Sequence, residues 1–352
     1  MNERANHVNE LIQDAQKYGY PQAVEVQVRW KNRVVLEKSF GKSYRFWDVA
    51  SLTKVLVTTP LLMTLYEKNL VDLKEPLLNS LPFLKNSEVG EIPVERLLSH
   101  ASGLVAFRAY EKQLVKVPWT ERDRTFKGIL RKEKVHFAGK CVYSDVDFIL
   151  LGWIIEQKLG MPLDEAAQKY LWEPLGLKNT FYLRKGDKLP GPKSAFAPTE
   201  KHPYRGVLQG IVFDERAWSM GGVSGHAGLF STLKDVGRIG QEYLNGSLGA
   251  KTLWKPATFK KFSTRAVPQS WGDWALGFTI PTRPISTGGR LISSAAFGHT
   301  GFTGTSLWVD RSRKAVVTIL SNRTYPNRSD VRFRDLRINI HDAVWEMIDA
   351  AR

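Results

Sequence analysis

Asp48-Val49-Ala50-Ser51-Leu52-Thr53-Lys54 runs directly into Leu52–Lys68, a segment rich in Leu, Val, Met and Thr with apolar residues on every side. A helix that is apolar all round is a buried one, so a long buried helix is expected from about Ser51. Pro60 inside it is expected to kink the helix or mark a boundary. Residues i and i+3 share a helix face, which brings the Lys54 amine within reach of the Ser51 hydroxyl. A serine at a helix N-terminus also lies near unpaired N–H groups, donors suited to a developing oxyanion. A lysine buried there loses basicity and can act as a general base. The plainer reading is an N-cap serine beside a solvated lysine.

Ser-x-x-Lys by itself is a short pattern, and it occurs three times, at Ser39/Lys42, Ser51/Lys54 and Ser231/Lys234. Gly41, a poor helix residue, interrupts the first. The third follows a Gly-rich loop and precedes a polar helix. Only Ser51/Lys54 opens a long apolar helix.

Outward from this helix, both ends of the chain read as helix and strand. Val8, Leu11, Ile12 and Ala15 mark an amphipathic helix over 3–18. Val24, Val26 and Val28 alternate with polar residues, and Lys31-Asn32 turns the chain into a second strand, Val34 to Phe40. Near the other end, Ser306–Val309 and Ala315–Leu320 are β-rich around a polar turn. Phe333, Leu336, Ile340, Val344 and Met347 line one face of a closing helix over 330–350. The middle carries helical patterns, many loops and most prolines, with Asp147–Leu159 its clearest helix. The expected architecture is α/β (α+β): an antiparallel sheet flanked by helices from both chain ends. Residues 1–62 and 269–352 form that domain, and 63–268 are inserted as a mostly helical lobe.

Bulk properties narrow the function. The 352 residues suffice for one large or two intimately packed domains. No apolar window is long enough for a transmembrane segment. The N-terminus lacks a basic start and an apolar h-region, so a cytoplasmic location is expected, or a periplasmic one if a signal was removed. Cys141 is the only cysteine, which excludes an intrachain disulfide and a thiolate cluster. A net charge of +16 favours anionic partners in general, anionic cell-wall fragments among them. No zinc-finger or RNP-like spacing occurs, so no specific nucleic-acid binding is expected. The seven histidines form no tight ligand pair, so neither metal nor cofactor is expected. The nearest nucleophile elbow, Gly222-Val223-Ser224-Gly225-His226, lacks the last glycine.

Two further segments carry chemistry. Tyr143-Ser144-Asp145 precedes the helix from Asp147, where a tyrosine can shuttle a proton between nucleophile and leaving group; a buried aromatic beside an N-cap Asp is the plain alternative. Gly298-His299-Thr300-Gly301-Phe302-Thr303-Gly304 runs into the strand at Ser306. Its glycines allow close backbone approach to a ligand. The Phe302 N–H can serve an oxyanion, and His299 can bind a carboxylate or assist proton transfer. A tight turn with a surface histidine is the plain alternative.

In chain order the three segments read Ser-x-x-Lys, a Tyr-x-Asn-like triplet, then His-Thr-Gly. This resembles the β-lactamase and penicillin-binding-protein superfamily of serine hydrolases, closest to its class C and esterase branch. Leu97-Leu98-Ser99-His100-Ala101-Ser102-Gly103-Leu104, Pro174-Leu175-Gly176-Leu177 and Gly225-His226-Ala227-Gly228-Leu229-Phe230-Ser231 are similar to further family segments, so the likeness spans about 20–325. The resemblance implies acylation of Ser51, proton handling by Lys54 and Tyr143, and an oxyanion hole from the Ser51 and Phe302 N–H groups. It implies a substrate-binding edge at Asp145, Thr300, Gly301 and Phe302, with His299 where relatives carry a carboxylate-binding Lys. Asp145 replaces the usual Asn and is expected to raise the Lys54 pKa, weakening it as a base. A neutral His299 is a poorer carboxylate clamp than an ammonium. Both departures argue against efficient β-lactam hydrolysis. The expected substrate is a small ester or amide. A DD-peptidase or D-amino-acid peptidase acting on peptidoglycan peptides is the alternative, and a catalytically silent binding protein of the same fold is the alternative of another class.

Overall fold

The computed structural model describes residues 2–352, with side chains from Asn6 onward. Strands β1 (Ala23–Trp30) and β2 (Arg33–Gly41) form a hairpin over Lys31-Asn32. Both turn residues have positive φ, 49° and 66°, as a two-residue turn matched to strand twist requires. Strands β3 (Ala296–Thr300), β4 (Ser306–Asp310) and β5 (Ala315–Ser321) come from the far end of the chain. The sheet runs β2-β1-β5-β4-β3, antiparallel throughout, with Val24 opposite Ser321 and Val28 opposite Val317. The two chain ends therefore meet at its centre, as the strand patterns imply.

Alternation sorts the core into two layers. Val24, Val26, Val28, Val317 and Ile319 pack with α1 (Asn2–Lys17) and α6 (Phe333–Asp349). Val316, Leu320, Leu307 and Val309 join the larger core on the opposite face. Helix α5 (Leu233–Ser247) lies on that face against β1, β4 and β5. It falls within 63–268 by sequence and against the sheet in space. A Cβ at Gly240 would run into the side chains of Val316 and Leu307, so glycine lets α5 approach this closely.

Strand β3 adds to the two C-terminal strands expected from the sequence, in which 298–304 reads as a glycine-rich segment running into Ser306, with a tight turn as the plain alternative. Gly298 belongs to the strand. A Cβ there would strike the Leu307 carbonyl and Trp308 on β4, so this glycine serves close strand packing.

The buried helix after Ser51 also differs in detail. Ala50–Leu52 make a 3₁₀ turn, Lys54–Thr58 are π-helical, and α2 (Thr59–Glu67) is regular. Pro60 supplies the reason: it has no N–H for the Leu56 carbonyl, and its ring crowds that oxygen, so the preceding turn widens. The Tyr243 hydroxyl donates to the Val55 carbonyl and Thr58 Oγ1 to the Gly225 carbonyl at 2.6 Å, satisfying polar groups in the widened turn. Helix α3 spans Asp145–Leu159, starting two residues before the expected Asp147.

Candidate active site

Ser51 follows a strained turn. Ala50 has φ 47°, in the left-handed region that a non-glycine residue occupies only when its surroundings impose it. Asp48 imposes it: its carboxylate accepts the Ala50 N–H at 2.9 Å and the Phe213 N–H at 2.8 Å. Burial raises the Asp48 pKa to about 6 against those two bonds. Thr53 Oγ1 donates to the Ala50 carbonyl at 2.7 Å. Ser51 itself is partly exposed in the middle of the 3₁₀ turn.

Lys54 is fully buried beneath it. Its Nζ donates to Ser51 Oγ at 3.1 Å, to Asp145 Oδ1 at 2.8 Å and to the His226 carbonyl at 3.0 Å. Those three bonds use all three ammonium protons. Tyr143 lies at the rim, 37% exposed, with its hydroxyl donating to Ser51 Oγ at 2.9 Å. Close glycine packing makes the carbonyl contact possible. Gly152 of α3 touches Gly225, and a Cβ on Gly225 would hit the Phe148 carbonyl, so the 224–228 loop lies flat on the helix.

Asp145 accepts from a second cation that sequence reasoning missed. Arg216, on the short helix α4 (Glu215–Ser219), donates Nη2 to Asp145 Oδ2. Asp214 caps α4 through the Ala217 N–H at 2.8 Å and pairs with His226 Nε2 at 2.9 Å. Burial disfavours every charge here, yet the pairing wins. Lys54, with Asp145 and Tyr143 beside it, is held above its usual range. Against burial, Lys54, His226 and Arg216 pull Asp145 down to about 2. Burial raises the Tyr143 phenol, so it is neutral at ordinary pH. His100, with Nδ1 2.8 Å from Asp147 Oδ2, is driven well below its usual pKa by burial and by Lys54, and burial drives Asp147 well above.

The segment read as His-Thr-Gly closes the other side. His299 and Thr300 end β3, and Gly301 packs on the turn before Ser51, where a Cβ would collide with the Val49 carbonyl and Thr305 Oγ1. Thr305 Oγ1 donates to the Val49 carbonyl at 3.0 Å and Thr303 Oγ1 to the Asp48 carbonyl at 2.8 Å. These bonds clip the Phe302 loop to the residues just before the nucleophile. Arg323, also missed, donates Nε to the Phe302 carbonyl at 2.7 Å and lies 4.5 Å from its ring centre. His299 is buried, with ring centroids of Tyr143 and Trp274 each 6.1 Å away.

Ser51, Lys54, Tyr143 and Asp145 thus form one bonded group, with the 299–302 segment fastened to the same turn. The other two Ser-x-x-Lys pairs do not compete. Ser39 lies on β2, Ser231 Oγ bonds Thr180 Oγ1 at 2.8 Å, and Lys42 and Lys234 are exposed. Of the nearby aromatic residues, Trp274 lies beside Tyr143 and His299, and Phe107 covers Arg216, whereas Trp47 and Tyr110 are core. Asp145, Asp214 and His226 also bring ligand-type atoms within 4.8 Å of one another, a trio invisible in sequence spacing. Lys54 and Arg216 already hold both oxygens of Asp145.

Residues 8–341 match the family described as Beta-lactamase. The chain belongs to that family of serine hydrolases. A Salmonella agona protein, provisionally named a D-alanyl-D-alanine carboxypeptidase, is 30% identical over 367 residues, covering 92% of this chain and 83% of its own length. Two solved structures share the fold. EstCE1, described as a hydrolase with promiscuous acyltransferase activity, superposes with a TM-score of 0.74 at 18% identity, over 98% of this chain and 99% of its own. The octameric penicillin-binding protein homologue from Pyrococcus abyssi does so with 0.70 at 19% identity, over 94% and 76%.

Proposed function

We propose that the protein hydrolyses small esters or amides through an acyl-enzyme on Ser51. One observation carries the reading: Ser51 Oγ is held between Lys54 Nζ at 3.1 Å and Tyr143 OH at 2.9 Å. In the form with Lys54 deprotonated, Oγ attacks the substrate carbonyl carbon while its proton passes to the Lys54 amine, directly or through the Tyr143 hydroxyl. The Ser51 and Phe302 N–H groups stabilise the oxyanion. The same pair returns the proton to the leaving alcohol or amine as its bond to carbon breaks. Water then repeats the sequence on the acyl-enzyme and releases the acid. Asp145 positions Lys54, and Thr300 and Gly301 line the substrate edge. Lys54 is a cation at rest, so kcat/KM rises towards alkaline pH.

A second reading, D-alanyl-D-alanine carboxypeptidase, is favoured by the name of the Salmonella relative. In the test, a fluorophosphonate probe labels the wild type and not Ser51→Ala, and Ser51→Ala loses hydrolysis of p-nitrophenyl acetate. Activity that persists in the variant overturns the assignment. Release of D-alanine from a muropeptide selects the second reading.

A further inference from the structure

Four cations are buried among the described residues: Lys54, Arg216, Arg323 and Arg337. Lys54 and Arg216 share Asp145. Arg323 and Arg337 have no such carboxylate. Arg323 donates Nε to the Phe302 carbonyl at 2.7 Å and Nη1 to the Asp330 carbonyl at 2.9 Å, which leaves Nη2 without a partner. The Asp330 carboxylate is held by Arg332 at 2.6 Å. Arg337 is 8% exposed and makes no hydrogen bond or ion pair among the described residues. Its Nε is sealed from solvent, whereas its two Nη atoms and Arg323 Nη2 are not. A ligand can therefore reach both guanidinium tips.

The two arginines belong to one cluster. Asp330, which takes the Arg323 tip, lies three residues before α6, and Arg334 and Arg337 stand one helical turn apart in the first turns of that helix. The positive end of the helix dipole adds to their charge. Burial, and then the Arg323 and Arg334 charges, lowers Arg337 to about 10, so it is still a cation at neutral pH. His341, one turn further on, is neutral. A charge taken out of water without a partner is costly, so the cluster is matched to an anion that the chain does not supply. The Nη fork of an arginine fits an oxyanion with two parallel bonds. Three cations with no carboxylate among them favour a doubly charged group over a singly charged one.

The cluster also touches the active site. The Phe302 ring centre lies 4.5 Å from the Arg323 guanidinium, and a Cβ at Gly304 would strike the Arg323 side chain, so the loop rests on this arginine.

We propose that Arg323, Arg334 and Arg337 bind a doubly charged oxyanion, a phosphate or phosphomonoester group, and that the bound anion fixes the Phe302 loop for hydrolysis at Ser51. Binding stands by itself; the effect on hydrolysis rests on the Ser51 reading.

The test titrates sodium phosphate into the whole chain, with sodium chloride keeping the ionic strength constant. Phosphate is expected to raise the melting temperature by about 2–4 °C and kcat/KM for p-nitrophenyl acetate by about fivefold. Arg337→Met loses both responses. Arg334→Gln, a change at an exposed position, raises the phosphate concentration needed by about two- to fivefold. No shift in the wild type, or a full shift in Arg337→Met, overturns the site. An equal shift with acetate overturns the phosphate class. A melting shift with kcat/KM unmoved keeps the site and overturns its hold on the loop. Glycerol phosphate tells the two sources apart: a shift equal to that with inorganic phosphate assigns a phosphomonoester, and none assigns the free ion. Melting does not involve Ser51. If a fluorophosphonate leaves Ser51 unlabelled, the hydrolase reading falls and the anion site is judged by melting alone.

Discussion

Asp145 serves two cations at once, and removing its charge should separate their roles. Its Oδ1 lies 2.8 Å from Lys54 Nζ, and its Oδ2 takes Arg216. At that distance and an effective dielectric of about 20, the Lys54–Asp145 attraction is about 6 kcal/mol before desolvation is deducted. Breaking a buried pair by removing one partner costs about 3–5 kcal/mol, because the other charge is stranded. Asp145→Asn, which strands both cations, should lose that much stability, roughly 4–7 °C in melting temperature for a chain of this size, and Arg216→Met, which leaves Asp145 paired with Lys54, should lose less. The double variant strands neither charge against the other and leaves an amide oxygen for Lys54. It should regain at least about half of the summed loss. The pH profile gives an independent readout. An opposite charge this close shifts a pKa by about 1–3 units, so the double variant should move the alkaline limb of kcat/KM for p-nitrophenyl acetate down by that amount. Arg216→Met alone leaves the whole Asp145 charge on Lys54 and should move the limb up. Stability losses that simply add, or a limb fixed in all three variants, would refute the reasoning.

Two other outcomes follow from local geometry. Gly301→Ala forces a Cβ against the Val49 carbonyl and Thr305 Oγ1, so it should lift the Phe302 loop and cut kcat/KM for p-nitrophenyl acetate by about 10²–10³, the cost of one oxyanion donor; an unchanged kcat/KM would remove the Phe302 N–H from the mechanism. His341 is buried on α6 beside Ser306 Oγ at 3.1 Å, and burial lowers its pKa to about 3. A histidine whose folded pKa is depressed contributes stability that is present above its unfolded pKa and lost as pH falls towards the folded one. Urea melts should therefore show the wild type losing about 3 kcal/mol more than His341→Gln between about pH 7 and pH 4. Parallel losses would contradict it.

What could be read from sequence was what local periodicity carries. The Ser51–Lys54 pair is an i, i+3 relation, and the alternating valines of β1 and β5 fix faces two residues at a time. Strand β3 escaped because Gly298 signals a turn in one dimension, and its packing against Trp308 exists only in three. The π-helical turn was foreshadowed by Pro60 only as a break. Arg216 escaped for another reason. It lies 71 residues from Asp145 on a five-residue helix, with no periodic pattern of its own. Its signal was indirect: a carboxylate in place of an amide, beside a lysine, calls for a second cation somewhere in the fold. The expected direction held, since Lys54 is raised. The consequence differs from that of a lone carboxylate. Asp145 and Arg216 together are neutral and still present one oxygen to Lys54, which is what an asparagine at this position would do. The substitution changes how strongly Lys54 is held, and Arg216 limits that change. An apparent break in the motif is thus repaired by a residue outside it, so Asp145 alone is weak support for a catalytically silent fold.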